Sequence, residues 1–191
     1  MPYLVVCPLS KLQDTATATG AARMLTVINA GTPVTRPAEI AEEQHLFLGF
    51  NDIAVAMEGM TLPGEEHVRA ILDFAREWDR DAPMIVHCFA GISRSTASAY
   101  MIALALNPDL DERELAHDLR WRAPSATPNA KLIEIADAVL GREGRMVDAI
   151  RAIGRGEDAF EGVPFRLPLT REALDSEEFI VGWTANEFGR S

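Results

Sequence analysis

The sequence predicts an α/β fold, with a central, mainly parallel sheet flanked by helices in a single domain. Two observations carry this. Short apolar runs alternate with helix-patterned stretches, the order that parallel strands and crossover helices produce. One such run, Met84-Ile85-Val86, leads through a tight loop into the small and apolar residues Thr96 to Leu106, which form a strand–loop–helix unit.

Tyr3 to Cys7 reads as the first strand. Ser10 is placed to cap a helix over 11–19 that Gly20 ends, although three threonines weaken it. Arg23 to Ile28 reads as a second strand, Asn29 to Pro33 as a turn, and Pro37 to Glu43 as a short helix. His45 to Phe50 alternates weakly and makes a third strand, and a loop follows to about Pro63. Pro63 suits a first helical turn, and Glu65 and Glu66 favour its positive end. Val68, Ile71, Leu72, Ala75 and Trp78 then keep helical spacing to about Asp79. Asp81 to Pro83 turns the chain into the central strand.

Asn107 and Pro108 break the central helix, and Asp111 caps another to about Arg122. Thr127 and Pro128 give a cap and first turn for a helix over 129–140, and a further helix covers 145–153. From Gly154 the character changes. Gly156, Gly162, Pro164 and Pro168 interrupt regular structure, and Val163 to Leu169 reads as extended. Residues 1–153 are therefore the expected domain. Residues 154–191, with Trp183 and Phe188, are an expected extension packed on that domain or on a partner chain.

A chain of 191 residues supports one domain with a substantial core. A net charge of −11 argues against a broad nucleic-acid or anionic-membrane surface. The longest apolar run, Ala99 to Leu106, is too short to span a bilayer. The N-terminus lacks a basic region followed by an apolar core, and two cysteines do not make a disulfide scaffold. The expected location is the cytoplasm, where a thiol stays reduced.

The loop after Met84-Ile85-Val86 reads His87, Cys88, Phe89, Ala90, Gly91, Ile92, Ser93, Arg94, Ser95. A helix N-terminus offers unpaired N–H groups to an anion, and the N–H groups of a tight loop converge on it as a nest. Gly91 permits the positive φ that such a loop needs. Arg94 supplies a two-pronged donor matched to two phosphate oxygens. A free thiol, with a pKa of about 8.5, is mostly protonated at neutral pH. A positive loop favours the thiolate of Cys88, and the Ser95 hydroxyl can donate to its sulfur. An oxyanion cradle around an activated nucleophile is what phosphoryl transfer through a covalent intermediate requires.

His87-Cys88, Gly91 and Arg94-Ser95 resemble the signature His-Cys-x-x-Gly-x-x-Arg-Ser/Thr of the cysteine-dependent protein tyrosine phosphatase superfamily. Members of the compact dual-specificity type carry an aspartate on a loop upstream of the cysteine, with a helix between, and Asp52 is similarly placed. Downstream, Arg122 and the pair Pro128-Asn129 resemble the family's arginine and helix-opening Pro-Asn, with slightly longer spacing. The resemblance covers about residues 3 to 140. It departs in lacking the Trp-Pro-Asp loop of the classical tyrosine phosphatases, and the tail after 154 matches no pattern.

The resemblance implies a phosphatase domain over 1–153 that hydrolyses phosphomonoesters without metal or cofactor. Cys88 is the implied nucleophile and Asp52 the general acid and base. Arg94 and the loop residues Phe89, Ala90, Gly91, Ile92 and Ser93 bind the phosphoryl group. Ser95 stabilises the departing thiolate, and His87 orients the cysteine and tunes its pKa. The expected partner is a phosphorylated protein or a small phosphomonoester, with no nucleic acid and no membrane. Alternatives are an inositol phosphate or phosphoinositide phosphatase, disfavoured by the lack of a lysine or second arginine between Cys88 and Arg94, and a pseudophosphatase that only binds phosphate.

Other residues compete for these roles. An arginine closing a loop that begins at Cys7 would stand at position 13, which is Gln13, so Cys7 reads as packing, with redox pairing to Cys88 dependent on their separation. Asp73, Asp79 and Asp81 compete with Asp52. Asp73 falls on a solvated helix flank, and the other two fall at the wrong end of the central strand. Arg120, Trp121 and Arg122 read as a helix end with cations near its negative pole. His45, His67 and His117 have no metal-ligand spacing and read as solvent-facing or locally bonded.

Overall fold

The computed structural model describes residues 3–174. The strands are β1 (Tyr3–Pro8), β2 (Arg23–Ile28), β3 (His45–Gly49), β4 (Met84–Cys88) and β5 (Phe165–Pro168). The helices are α1 (Leu12–Thr19), α2 (Glu65–Arg76), α3 (Arg94–Leu106), α4 (Glu112–Arg122), α5 (Ala130–Leu140), α6 (Arg145–Ile153) and the short α7 (Arg171–Leu174). One sheet runs in the order β3-β2-β4-β1-β5. Its first four strands are parallel, and β5 is antiparallel to β1 with Leu4 opposite Leu167.

The inner strands are apolar on both faces because both faces are covered. Leu4 and Val6 of β1, Leu25 and Val27 of β2, and Met84, Val86 and Cys88 of β4 enter the core beneath α2–α6. Val5, Cys7, Met24 and Ile85, the alternate residues, face α1 with Leu12 and Ala16. The layers are unequal, with five helices on one face and α1 on the other. Cys7 and Cys88 are both free thiols and belong to opposite faces of the sheet. Burial pushes the Cys7 thiol up to about 12, which keeps it protonated. No helix among the described residues is long and apolar enough to cross a membrane.

Several boundaries differ from the sequence expectations, each for a local reason. Ser10 does not cap α1. It lies in a 3₁₀ turn over Leu9–Lys11, and its hydroxyl donates to Glu161. The expected helix over 37–43 is a turn followed by a 3₁₀ segment at Glu42–Gln44. Pro63 precedes α2 rather than entering it, because Gly64 is the N-cap. That helix stops at Arg76, and Trp78 stays buried beyond it through an Nε1–H bond to the Ala82 carbonyl. Asn129, not Thr127, caps α5, accepting from the Leu132 N–H at 3.0 Å. Asp111 does cap α4, accepting from the N–H groups of Arg113 and Glu114. Of the expected extended run from Val163, only 165–168 is strand, and Val163 itself is exposed. Trp183 and Phe188 lie outside the described residues.

Candidate active site

The carboxyl ends of β1, β2, β3 and β4 share one edge of the sheet, where ligands of such sheets sit. The segment 89–93 leaves β4 at that edge and enters α3. Gly91 takes φ 69°, and a Cβ there would stand 2.7 Å from the Pro8 nitrogen and 2.8 Å from the Cys7 carbonyl carbon. The position therefore needs glycine both for its conformation and for its closeness to β1.

The carbonyls of this loop are held from outside. Phe89 O accepts from the Leu9 N–H (3.0 Å) and Ala90 O from the Gly162 N–H (2.8 Å). Ile92 O accepts from the Thr127 N–H (3.0 Å) and Ser93 O from the Asn129 N–H (3.3 Å). In a trans peptide the carbonyl and the next N–H point in opposite directions, so outward carbonyls turn N–H groups inward. The Gly91 N–H accordingly donates to Cys88 Sγ at 3.2 Å.

Cys88 is 2% exposed at the base of the loop, and its sulfur also lies 3.2 Å from the Ser95 hydroxyl oxygen. Helix α3 begins at Arg94 with no side-chain cap and no acidic residue in its first turn, which leaves its positive end available to an anion. Ser93, the N-cap, instead gives its hydroxyl hydrogen to Asp52 Oδ1 at 2.7 Å. Asn129 Nδ2 donates to the same oxygen at 2.8 Å.

Arg94 is 5% exposed, and its Nη1 donates to Asn29 Oδ1 (2.7 Å) and Phe50 O (2.6 Å). Its Nε is buried with no hydrogen-bond partner among the described residues. Anchoring Nη1 presents the Nε–Nη2 edge as a two-pronged donor, and a buried unpaired N–H is costly until an acceptor arrives.

His87 is fully buried beside the sulfur-bearing residue. Its Nε2 lies 2.7 Å from Thr26 Oγ1, and its Nδ1 lies 3.3 Å from the Cys88 carbonyl. The carbonyl can only accept, so Nδ1 carries the hydrogen and the Thr26 hydroxyl donates to Nε2. His45 Nε2 lies 2.9 Å from the same hydroxyl oxygen and donates to it. Burial pushes the His87 imidazole down to about 4, so it is neutral at physiological pH. It reaches Cys88 through the backbone, without a positive charge.

Asp52, Phe89 and Arg94 line one cleft of about 430 Å³ together with Ile28, Asn29, Thr32, Asn51, Ile53 and Met60. Asp73 pairs with Arg76 on the exposed side of α2, and Asp79 bonds the Asp81 N–H in the turn before β4, so none of the three lines it. Arg120 binds the carbonyls of Ala126, Ile153 and Gly154, and Arg122 pairs with Asp118 at 2.6 Å. These are structural contacts at the end of α4. His67 accepts from the Gly64 N–H, and His117 is exposed. The sequence reading missed Asn29, Thr26, Met60 and the Phe50 carbonyl. Asn29 and Phe50 immediately follow the ends of β2 and β3, and the shared carboxyl edge of parallel strands is the signal that could have found them.

No family model matches the chain, and no curated protein matches it. Solved structures do. DUSP15 is 18% identical, covers 83% of this chain and 96% of its own, and superposes with a TM-score of 0.56. The Cydia pomonella PTP-2 phosphatase is 16% identical, with 70% of this chain and 83% of its own covered and a TM-score of 0.53. A mouse dual specificity phosphatase solved with zinc tungstate is 16% identical over 71% of this chain and 83% of its own, with a TM-score of 0.50. The chain thus has the fold of the protein tyrosine and dual-specificity phosphatases. These likenesses define the fold, and the chemistry rests on the loop around Cys88.

Proposed function

We propose that this protein is a metal-independent phosphomonoester hydrolase, acting on phosphotyrosine or with dual specificity on phosphorylated proteins. The observation that carries the reading is the setting of Cys88 Sγ, which accepts from the Gly91 N–H and lies within hydrogen-bond distance of the Ser95 hydroxyl, on a loop that ends at the buried Arg94 with its unpaired Nε.

In the proposed reaction the Cys88 thiolate attacks phosphorus in line, forming the S–P bond as the ester P–O bond breaks. The inward N–H groups and Arg94 hold the equatorial oxygens as charge develops on them. Asp52, entering as the acid, gives its proton to the leaving alcohol or phenol. As carboxylate it then takes a proton from water, whose oxygen displaces the sulfur and releases phosphate. Ser95 stabilises the thiolate that departs. His87 fixes the backbone of Cys88 and acts as a positioning residue.

Arg94 is the one cation among the described residues lining the cleft, which supports a substrate with a single phosphate there over an inositol polyphosphate. Phe89 and Met60 add apolar walls suited to an aryl group. The test is a panel of phosphotyrosine and phosphoserine peptides and inositol phosphates assayed with a chelator present. Phosphotyrosine turnover that survives chelation supports the proposal. Binding of tungstate or phosphate with no turnover of any substrate would make the chain a phosphate-binding module.

A further inference from the structure

The segment between α6 and β5 runs behind the loop that carries Cys88. Its first part rests on the loop after α4. The Gly156 N–H donates to Thr127 Oγ1 at 3.1 Å, and the Glu157 N–H donates to Pro124 O at 2.9 Å. Its last part rests on the active loop. Glu161 accepts the Ser10 hydroxyl at 2.7 Å, and the Gly162 N–H donates to Ala90 O at 2.8 Å.

That last bond acts on one peptide plane. The carbonyl of Ala90 and the N–H of Gly91 belong to the same rigid unit and point in opposite directions. From outside, Gly162 holds the carbonyl. From inside, the N–H reaches Cys88 Sγ at 3.2 Å. The two bonds are the two ends of one lever. The fit at the outer end is close, because a Cβ on Gly162 would stand 2.9 Å from the Gly91 carbonyl oxygen. Both atoms behind that contact are backbone, so a side chain there must displace either the segment or the loop.

We propose that Gly162 is a positioning residue for the nucleophile: its N–H fixes the Ala90–Gly91 peptide so that the Gly91 N–H is aimed at the Cys88 sulfur. A donor aimed at the sulfur favours the thiolate, and a peptide free to rotate loses part of that bias. The inference rests on Cys88 being the proposed nucleophile, but it is read from the reactivity of the thiol, not from turnover.

The experiment is alkylation of the full-length protein by iodoacetamide at pH 6, followed by mass spectrometry. Cys7 is a silent background, being buried and protonated. Gly162→Ala should slow alkylation of Cys88 by roughly threefold to tenfold, short of the full value of a charge-assisted hydrogen bond. Gly156→Ala is the control. Its Cβ would stand 2.5 Å from the Ser125 carbonyl carbon, so it strains the same segment at its contact with 124–127, away from the Ala90–Gly91 peptide. Because Thr127 also holds the Ile92 carbonyl, it should slow alkylation less than Gly162→Ala does.

Equal rates in wild type and Gly162→Ala would overturn the proposal, as would equal slowing by both variants. If Gly162→Ala does not melt cooperatively, Glu161→Ala is read in its place. It removes only the surface tether to Ser10 and should slow alkylation about twofold, and an unchanged rate there also overturns the proposal. A wild-type protein that hydrolyses no phosphomonoester but shows the Gly162 contrast would sink the phosphatase reading alone.

Discussion

Asn129 Nδ2 donates to Asp52 Oδ1 across 2.8 Å, tying the start of α5 to the loop after β3. The residues are 77 positions apart in the chain. Asn129 also caps its own helix through Oδ1, so one amide orients both the helix and the carboxyl group. With the Ser93 hydroxyl on the same oxygen, two side chains from two elements fix Asp52 at the wall of the cleft.

If Asp52 is the general acid, Asp52→Ala should cut turnover of phosphotyrosine by about a hundredfold or more. The loss should shrink for an aryl phosphate whose phenol is acidic, because that leaving group needs no proton. The alkaline limb of the pH–rate profile should flatten. Asn129→Ala should lower kcat less, with the same dependence on leaving group. An alkaline limb that survives in Asp52→Ala would move the role to another carboxylate.

Cys88→Ser should abolish turnover while tungstate still binds, because the inward N–H groups and Arg94 remain. Arg94→Lys should also be severely impaired, since one ammonium cannot both satisfy Asn29 and Phe50 O and present two parallel donors. Rates from stopped assays and tungstate affinity from calorimetry separate the two effects. A serine variant at the wild-type rate would exclude the covalent route.

His87 ties the site to stability. Its folded-state pKa of about 4 lies below the usual histidine value, chiefly through burial. Between about pH 6.5 and 4 the unfolded chain therefore binds a proton that the folded protein refuses, and stability is lost as pH falls through that window. The full effect is about 3 kcal/mol. Melting temperature measured from pH 7 to 4.5 should fall, and His87→Gln should flatten the slope. Burial also lowers the pKa of His45, so a smaller slope should remain.

Phe89 is 57% exposed and Met60 46% exposed, both on the wall of the cleft. Exposed apolar side chains beside the proposed phosphate site suit an aryl ester. Phe89→Ala should raise KM for phosphotyrosine peptides about tenfold, the loss of one ring contact, while KM for a small alkyl phosphate stays within twofold. Equal losses for both substrates would assign Phe89 to the shape of the loop instead.

The parts of this molecule written in contiguous sequence were the legible ones. The β4–loop–α3 unit could be read because Cys88, Gly91 and Arg94 lie within seven residues and each has a local reason to be there. β2 and α6 were read to their boundaries for the same reason, as uninterrupted patterns. Asp52 was singled out by resemblance, and it lines the same cleft as Arg94 because it follows β3, whose carboxyl end shares an edge with that of β4. Contacts between distant segments left no mark in the sequence. Ser10 looked like a helix cap because its true partner, Glu161, lies 151 residues away. Ser93 was legible as part of the loop, but nothing near it in sequence pointed to the bond of its hydroxyl with Asp52, 41 residues away. Thr127 and Asn129 are both good caps, and only the fold chooses between them. Gly162 resembled any other breaker in an irregular tail.

The edge of the sheet gives the last prediction. β5 pairs with β1 and brings Phe165, Leu167 and Leu169 into the core beneath α3 and α4. Leu167 is fully buried opposite Leu4, so Leu167→Ala removes apolar contacts and leaves a cavity, at a cost of about 2–5 kcal/mol. In a chain of this size that corresponds to a fall in melting temperature of roughly 5–15 °C. Truncation after residue 156 removes all three side chains and uncovers the β1 edge, so it should lower the melting temperature further or drive self-association through that edge. Scanning calorimetry and light scattering read the two outcomes. A truncated protein that melts with the full chain and stays in the same oligomeric state would mean that β5 contributes nothing to the core it enters. If Leu167→Ala also leaves Cys88 alkylation unchanged while Gly162→Ala slows it, then support for the sheet and aim of the nucleophile are separate duties of the same thirteen residues between 156 and 168.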